Sequence, residues 1–193
     1  MGARETLDGA PHGALVEPIR AGDVAAFETM FRTYRASLAR LATRITESPE
    51  LGDEVVHEVF LKIWCTRGTW DPGSNVTAHL FAVTRNAALS VTRRRRLEAR
   101  WHTAQDDESA GHDVADGAPG PDHVVEARER ESAMRHAVET LPPRSREAFL
   151  LRWREQLTYS EIAAAMGISV KTVEKQLGAA FKALRSALRP WMP

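Results

Sequence analysis

Cysteine is nearly absent: Cys65 is the only one in 193 residues. That excludes an internal disulfide framework and any multi-cysteine zinc site. No apolar run approaches the roughly 18 residues of a membrane span. Residues 1–17 contain no apolar stretch like that of a secretory signal. The expected setting is reducing and cytoplasmic, with no insertion into a membrane. Net charge is absent too, since 26 Lys and Arg balance 26 Asp and Glu. No segment alternates apolar and polar residues like a half-buried strand, so the expected fold class is all-α. Hydrophobic residues still make up 43% of the chain, enough for a core and too many for a wholly disordered polymer. The length allows one ordinary domain or two small ones.

The zero net charge conceals a strong pattern. Residues 85–100 hold Arg85, Arg93, Arg94, Arg95, Arg96 and Arg100 against Glu98 alone. Residues 101–125 hold six acids and no Lys or Arg, and residues 141–193 hold nine bases against four acids. Two basic blocks flanking an acidic stretch suggest a polyanion bound at two places. The middle stretch, rich in Gly, Ala, Asp and Pro, has no helical or strand period and reads as a flexible linker. A connection so long rarely sits inside one compact domain. The expected organisation is two small helical domains, 18–100 and 126–190, joined by an acidic flexible linker at 101–125 and preceded by a loose tail at 1–17.

Apolar spacing predicts the helices. Phe27, Met30, Phe31, Tyr34, Leu38, Leu41 and Ile45 recur every three or four residues, behind Asp23 as N-cap. Ser48-Pro49 opens the next helix, with Leu51, Val55, Val59 and Ile63 on one face. Trp70 to Asn75 is turn chemistry. A third helix carries Leu80, Val83, Ala87 and Val91 and runs into the arginine tract. In the second half, a helix over about 124–140 is stopped by Pro142-Pro143, and another covers about 144–155. Cys65 reads as a small buried hydrophobe. Trp64 and Trp70 read as mainly core, and Trp101, Trp153 and Trp191 as structural.

Thr158 to Leu177 reads as a helix-turn-helix. Thr158 and Glu161 form a capping box. Ile162, Met166, Val173 and Leu177 would share one small core, and Ala163 lets the helices cross closely. Gly167 suits a left-handed C-cap. Ser169 can cap the second helix, whose outward residues are polar: Ser169, Lys171, Thr172, Glu174, Lys175 and Gln176. Such side chains read base edges and phosphates in a major groove.

These motifs resemble a known family. Leu141-Pro142-Pro143-Arg144 leading into the helix-turn-helix is similar to region 4 of bacterial sigma factors. The stretch Asp53 to Trp64 resembles region 2.2. Trp70-Asp71-Pro72, followed by Leu80 to Ala88 and the arginine tract, resembles regions 2.3 and 2.4. The two-region pattern is that of the extracytoplasmic-function (ECF) group. The resemblance implies a DNA-binding transcription initiation factor, not an enzyme. It would direct core RNA polymerase to promoters, with no cofactor, metal or catalytic residue. Asp53, Glu54, His57 and Glu58 would dock on a coiled coil of the polymerase β′ subunit. Trp70, Ser74, Asn75, Val76, Arg85, Asn86 and Arg93–Arg96 would engage the opened −10 element. The recognition-helix residues would read the −35 element while region 4 also touches the β flap. Many relatives are held by an anti-sigma protein, a possible further partner. The family often has Asp at Glu54, Gln at His57, Trp at His79 and Asp at Ser90.

Two other readings compete. A helix-turn-helix regulator acting without polymerase docking accounts for residues 157–177, but a receiver domain would need strands that residues 20–100 lack. A helical metal-dependent enzyme could use Asp53, His57 and Glu58, since Asp53 and His57 stand four apart on one helix. It would still need a third ligand and an acid–base partner. Its purified form would carry stoichiometric metal.

Overall fold

A computed structural model describes residues 12–102 and 122–189. Among the described residues the chain forms eight α-helices, two short 3-10 turns and no strand. They are α1 (Val16–Arg20), α2 (Val24–Thr46), α3 (Pro49–Cys65), α4 (Val76–His102), α5 (Asp122–Glu139), α6 (Pro143–Trp153), α7 (Tyr159–Met166) and α8 (Val170–Ala187). Residues 12–20 are helical, so residues 12–17 are not the loose tail expected of them. Ile19 just beyond is fully buried and anchors this turn to the core. Residues 1–11 of the expected tail and 103–121 of the expected linker lie outside the described residues, as does Trp191. The helices reach past the expected linker boundaries, to His102 on one side and from Asp122 on the other.

Local chemistry sets the helix starts. The Asp23 carboxylate accepts from the N–H groups of Ala25 and Ala26 at 2.8 and 3.1 Å. Ser48 Oγ accepts from Leu51 N–H at 3.2 Å, with Pro49 at the first helical position. Each such cap contributes on the order of 1 kcal/mol. Helices α2 and α3 then cross tightly at Gly52. A Cβ there would lie 2.7 Å from the backbone nitrogen of Thr43. Met30, Tyr34, Leu38, Leu41, Val55, Val56, Phe60 and Ile63 fill the space between α2, α3 and α4. The Tyr34 hydroxyl shares a buried 2.7 Å hydrogen bond with Thr77 Oγ1, and burial holds its phenol above the ordinary value.

Helix α4 is common to both halves. It lies against α2 and α3 on one flank and against α7 on the other. Its buried arc is therefore wider than the stripe read from the sequence. Leu80, Phe81, Thr84, Arg85 and Ala88 are buried, while Val83, Ala87 and Val91 are half-buried. The second half closes around Leu141, Ala148, Leu151, Leu157, Ile162, Val173 and Leu177, in a buried cluster continuous with the first.

Candidate nucleic-acid interface

Helices α7 and α8 build the helix-turn-helix as the spacing predicts. Thr158 Oγ1 accepts from Glu161 N–H, and the Glu161 carboxylate accepts from Thr158 N–H at 2.8 Å, which closes the capping box. Gly167 ends α7 at φ +64°, a left-handed conformation that suits glycine. Ser169 Oγ accepts from Thr172 N–H at 3.2 Å and opens α8. Lys171, Glu174 and Lys175 are exposed, and Ala163 is buried at the crossing. Gln176 is tied to a neighbouring helix. It is half-buried, and its Oε1 accepts from Ser145 Oγ at 2.7 Å. Lys182, which the sequence reading passed over, stands exposed seven positions after Lys175 and continues the same basic stripe.

The residues expected to meet the −10 element divide into two sets. Ser74, Asn75, Asn86 and Arg93–Arg96 are exposed. Asn75 also caps α4, accepting from Ala78 N–H at 2.8 Å, and donates from Nδ2 to Glu161 Oε1 at 3.1 Å. Val76 and Arg85 are buried, contrary to a free DNA-facing placement, and Trp70 is buried as its core reading predicts. Trp70 packs under the turn, where its indole N–H donates to His79 Nε2 at 3.2 Å and its carbonyl accepts from Arg20 at 2.8 Å. Burial lowers the pKa of His79, against the raising effect of Asp71. Arg85 is met by a carboxylate from α6. Its guanidinium donates to both oxygens of Glu147 at 2.5 and 3.2 Å.

The expected polymerase-docking residues share the outer face of α3. Glu54, His57 and Glu58 are exposed, whereas Asp53 is half-buried and pairs with Arg35 at 3.4 Å. The His57 ring stacks on Phe31 with centroids 5.9 Å apart. Leu61, outside the expected docking set, extends this face and is 63% exposed. Cys65 is exposed, not buried, because it ends α3 beyond the packed face. Among the described residues, no group of three His, Cys, Asp or Glu side chains could hold a metal ion. The metal-enzyme geometry is not assembled there.

A groove of about 780 Å³ opens between α5, α6 and α8. Met134, Val138, Phe149, Trp153 and Phe181 line it, and Arg135, Arg146, Arg154 and Arg185 rim it. Trp153 was expected to be structural, yet it is 66% exposed and stacks on Phe149 at 6.1 Å. Its helix ends there, with the indole over the groove and not in the core. Among the described residues, no helix is long and apolar enough to cross a membrane.

Comparison with known proteins matches residues 30–98 to the family model "Sigma-70 region 2" and residues 131–184 to "Sigma-70, region 4". The RNA polymerase sigma factor CnrH of Cupriavidus metallidurans is 33% identical over 171 residues, covering 86% of this chain and 88% of that protein. The ECF RNA polymerase sigma-E factor of Escherichia coli is 28% identical over 181 residues, covering 91% and 93%. Among solved structures, CnrH in complex with the cytosolic domain of CnrY superposes with a TM-score of 0.63 at 24% identity, covering 94% of this chain and 99% of that one. The sigma factor RpoE in complex with the anti-sigma factor NepR, from Bartonella quintana, gives 0.61 at 23% identity, covering 86% and 98%. The two regions occur in family order on one chain, so this protein belongs to the ECF group of RNA polymerase sigma factors, which are initiation factors and not enzymes.

Proposed function

We propose that this sigma factor recruits core RNA polymerase to promoters by reading a −35 element with α8 and opening a −10 element with the turn before α4 and its arginine end. The observation that carries this reading is the pairing of two surfaces on one chain. One is a capped recognition helix presenting Lys171 and Lys175. The other is the exposed run Arg93–Arg96 at the end of α4. Backbone N–H groups at the start of α8 favour a phosphate there. Strand opening requires groups that hold single-stranded bases and a cationic track for the backbone. Ser74, Asn75 and the arginine run supply them. The work divides between residues 18–100 and 126–190.

Docking is assigned to two places. The α3 face with Glu54, His57, Glu58 and Leu61 meets a basic surface of the β′ coiled coil, with complementary charge guiding orientation. The apolar groove beside Trp153 takes the β flap. A regulatory anti-sigma protein competes for the same chain, a reading supported by the sigma factor of similar fold solved with such a partner. The place of action is the cytoplasm, where the chromosome is. The test is run-off transcription by core polymerase on a genomic fragment library, with and without this chain. New, discrete start sites that depend on the chain are expected. Identical transcripts in both reactions would overturn the proposal.

A further inference from the structure

Residues 12–20 lie before the stretch that matches region 2, yet they wall one side of the turn assigned above to the opened strand. Ile19 is fully buried in the core and fixes α1 in place. The chain leaves α1 through Gly22 at φ +91°, a left-handed conformation that glycine adopts without strain. A Cβ at Gly22 would lie 3.7 Å from Arg67 Nε. The end of α1 therefore sits against the 3-10 turn Arg67–Thr69, which leads directly into Trp70.

Arg20 turns this proximity into a tether. Its Nε donates to the Trp70 carbonyl at 2.8 Å, and its Nη1 donates to Glu17 at 2.7 Å. The side-chain bonds that shape the turn from within are local. The Trp70 indole donates to His79, Gly73 N–H to Asp71, and Ala78 N–H to Asn75. Among the described residues of the first half, Arg20 is the one distant group that bonds the turn, 50 positions from Trp70. A guanidinium on a carbonyl is a charge-assisted bond, stronger than the neutral bonds around it. It holds the backbone where the chain enters Asp71 to Asn75.

A hollow of about 460 Å³ opens beside the turn. Glu17, Asp71 and Glu161 line it with carboxylates, and Arg20 is the one cation of the lining. The acids outnumber it, so the hollow favours an uncharged base over a phosphate. Arg20 thus acts on the turn and not on the backbone of the strand.

We infer that Arg20 is a positioning residue for the −10 element: by holding the Trp70 carbonyl it sets the shape of the turn whose Ser74 and Asn75 receive an unpaired base. This rests on the promoter-opening reading of that turn and adds to it a residue from α1. A loosened turn spends only part of its time in the binding shape, and affinity for the correct base falls by that fraction.

The test compares Arg20→Ala with Arg20→Lys, which keeps a cationic donor for the carbonyl. Hydrogen exchange read by mass spectrometry on the full chain should be about tenfold faster over residues 70–78 in Arg20→Ala, and unchanged over α7 and α8. Arg20→Lys should fall between that variant and the parent. Strand binding is then measured with the holoenzyme and a fluorescein-labelled single strand carrying a −10 element recovered by run-off, each base exchanged in turn. Arg20→Ala should bind about tenfold more weakly only where the strand carries the preferred base at the position that Asn75→Ala also affects. Duplex carrying the −35 element should bind as it does to the parent. Parent-like exchange over residues 70–78, or parent-like base preference, in Arg20→Ala would overturn the inference. Equal weakening toward every base and toward the duplex would also overturn it, since that marks a general loss of fold. Base preference kept in Arg20→Ala but lost in Asn75→Ala overturns the inference alone. If Ser74→Ala and Asn75→Ala also bind every strand as the parent does, the promoter reading of the turn falls with it.

Discussion

Ser145 and Gln176 are joined by a 2.7 Å hydrogen bond that ties the middle of the recognition helix to α6. Ser145 is 2% exposed, so its hydroxyl has little access to water as an alternative partner. The bond helps to fix the orientation of α8 for its neighbours. Ser145→Ala should lower stability by about 1–2 kcal/mol through the lost bond and the orphaned amide. Urea denaturation checks this. An unchanged midpoint would show that the bond carries no weight.

The basic stripe of α8 has a distinct expected signature. Lys175→Ala and Lys182→Ala should each flatten the dependence of log affinity on log salt by about 0.9 for promoter duplex bound by the holoenzyme. Lys182 enters on its exposed place in the stripe alone. Equal slopes for parent and variant would remove that lysine from the interface.

The crossing at Gly52 tolerates no side chain. Gly52→Ala drives a methyl onto the Thr43 backbone nitrogen, 2.7 Å away, as well as onto its hydroxyl. Overpacking of this kind costs about 1–3 kcal/mol. Because the contact is with backbone, rotamer changes do not relieve it. Thermal unfolding should shift down in Gly52→Ala but not in Gly68→Ala, which meets open space.

His79 gives the fold a sensitivity to acid. The imidazole accepts from the Trp70 indole N–H, so the neutral form is the one that fits. Its pKa lies below the unfolded value, chiefly through burial. The contribution is therefore complete above the unfolded pKa of about 6.5 and is lost as pH falls towards the lower folded value. His79→Gln keeps an acceptor that does not titrate. Urea midpoints measured from neutral to mildly acid pH should fall less steeply in His79→Gln than in the parent. Parallel curves would contradict this role.

The helix-turn-helix and the helix starts were legible in the sequence because their determinants are local. Asp23, Ser48, the Thr158–Glu161 box, Gly167 and Ser169 each act within a few residues of their place in the chain, and each does so in the structure. Arg85 was not legible in the same way. Its partner Glu147 stands 62 positions away, and no spacing rule connects them. The same holds for Arg40 with Glu155 and Asn75 with Glu161. The exposure of Trp153 was hidden because an aromatic residue reads alike whether a neighbouring helix covers it or a groove leaves it open. Leu61 carries no signal of its own within the Asp53–Trp64 stretch, because a single exposed leucine is ordinary on any surface.

The central claim is that promoter recognition belongs to the chain and polymerase together. DNase footprinting on a promoter fragment recovered by run-off tests it most directly, comparing the chain alone, core polymerase alone and both. Protection over two upstream elements and melting near the start site only in the combined reaction is the predicted result. Strong, site-specific protection by the chain alone, unchanged on adding core polymerase, would contradict it.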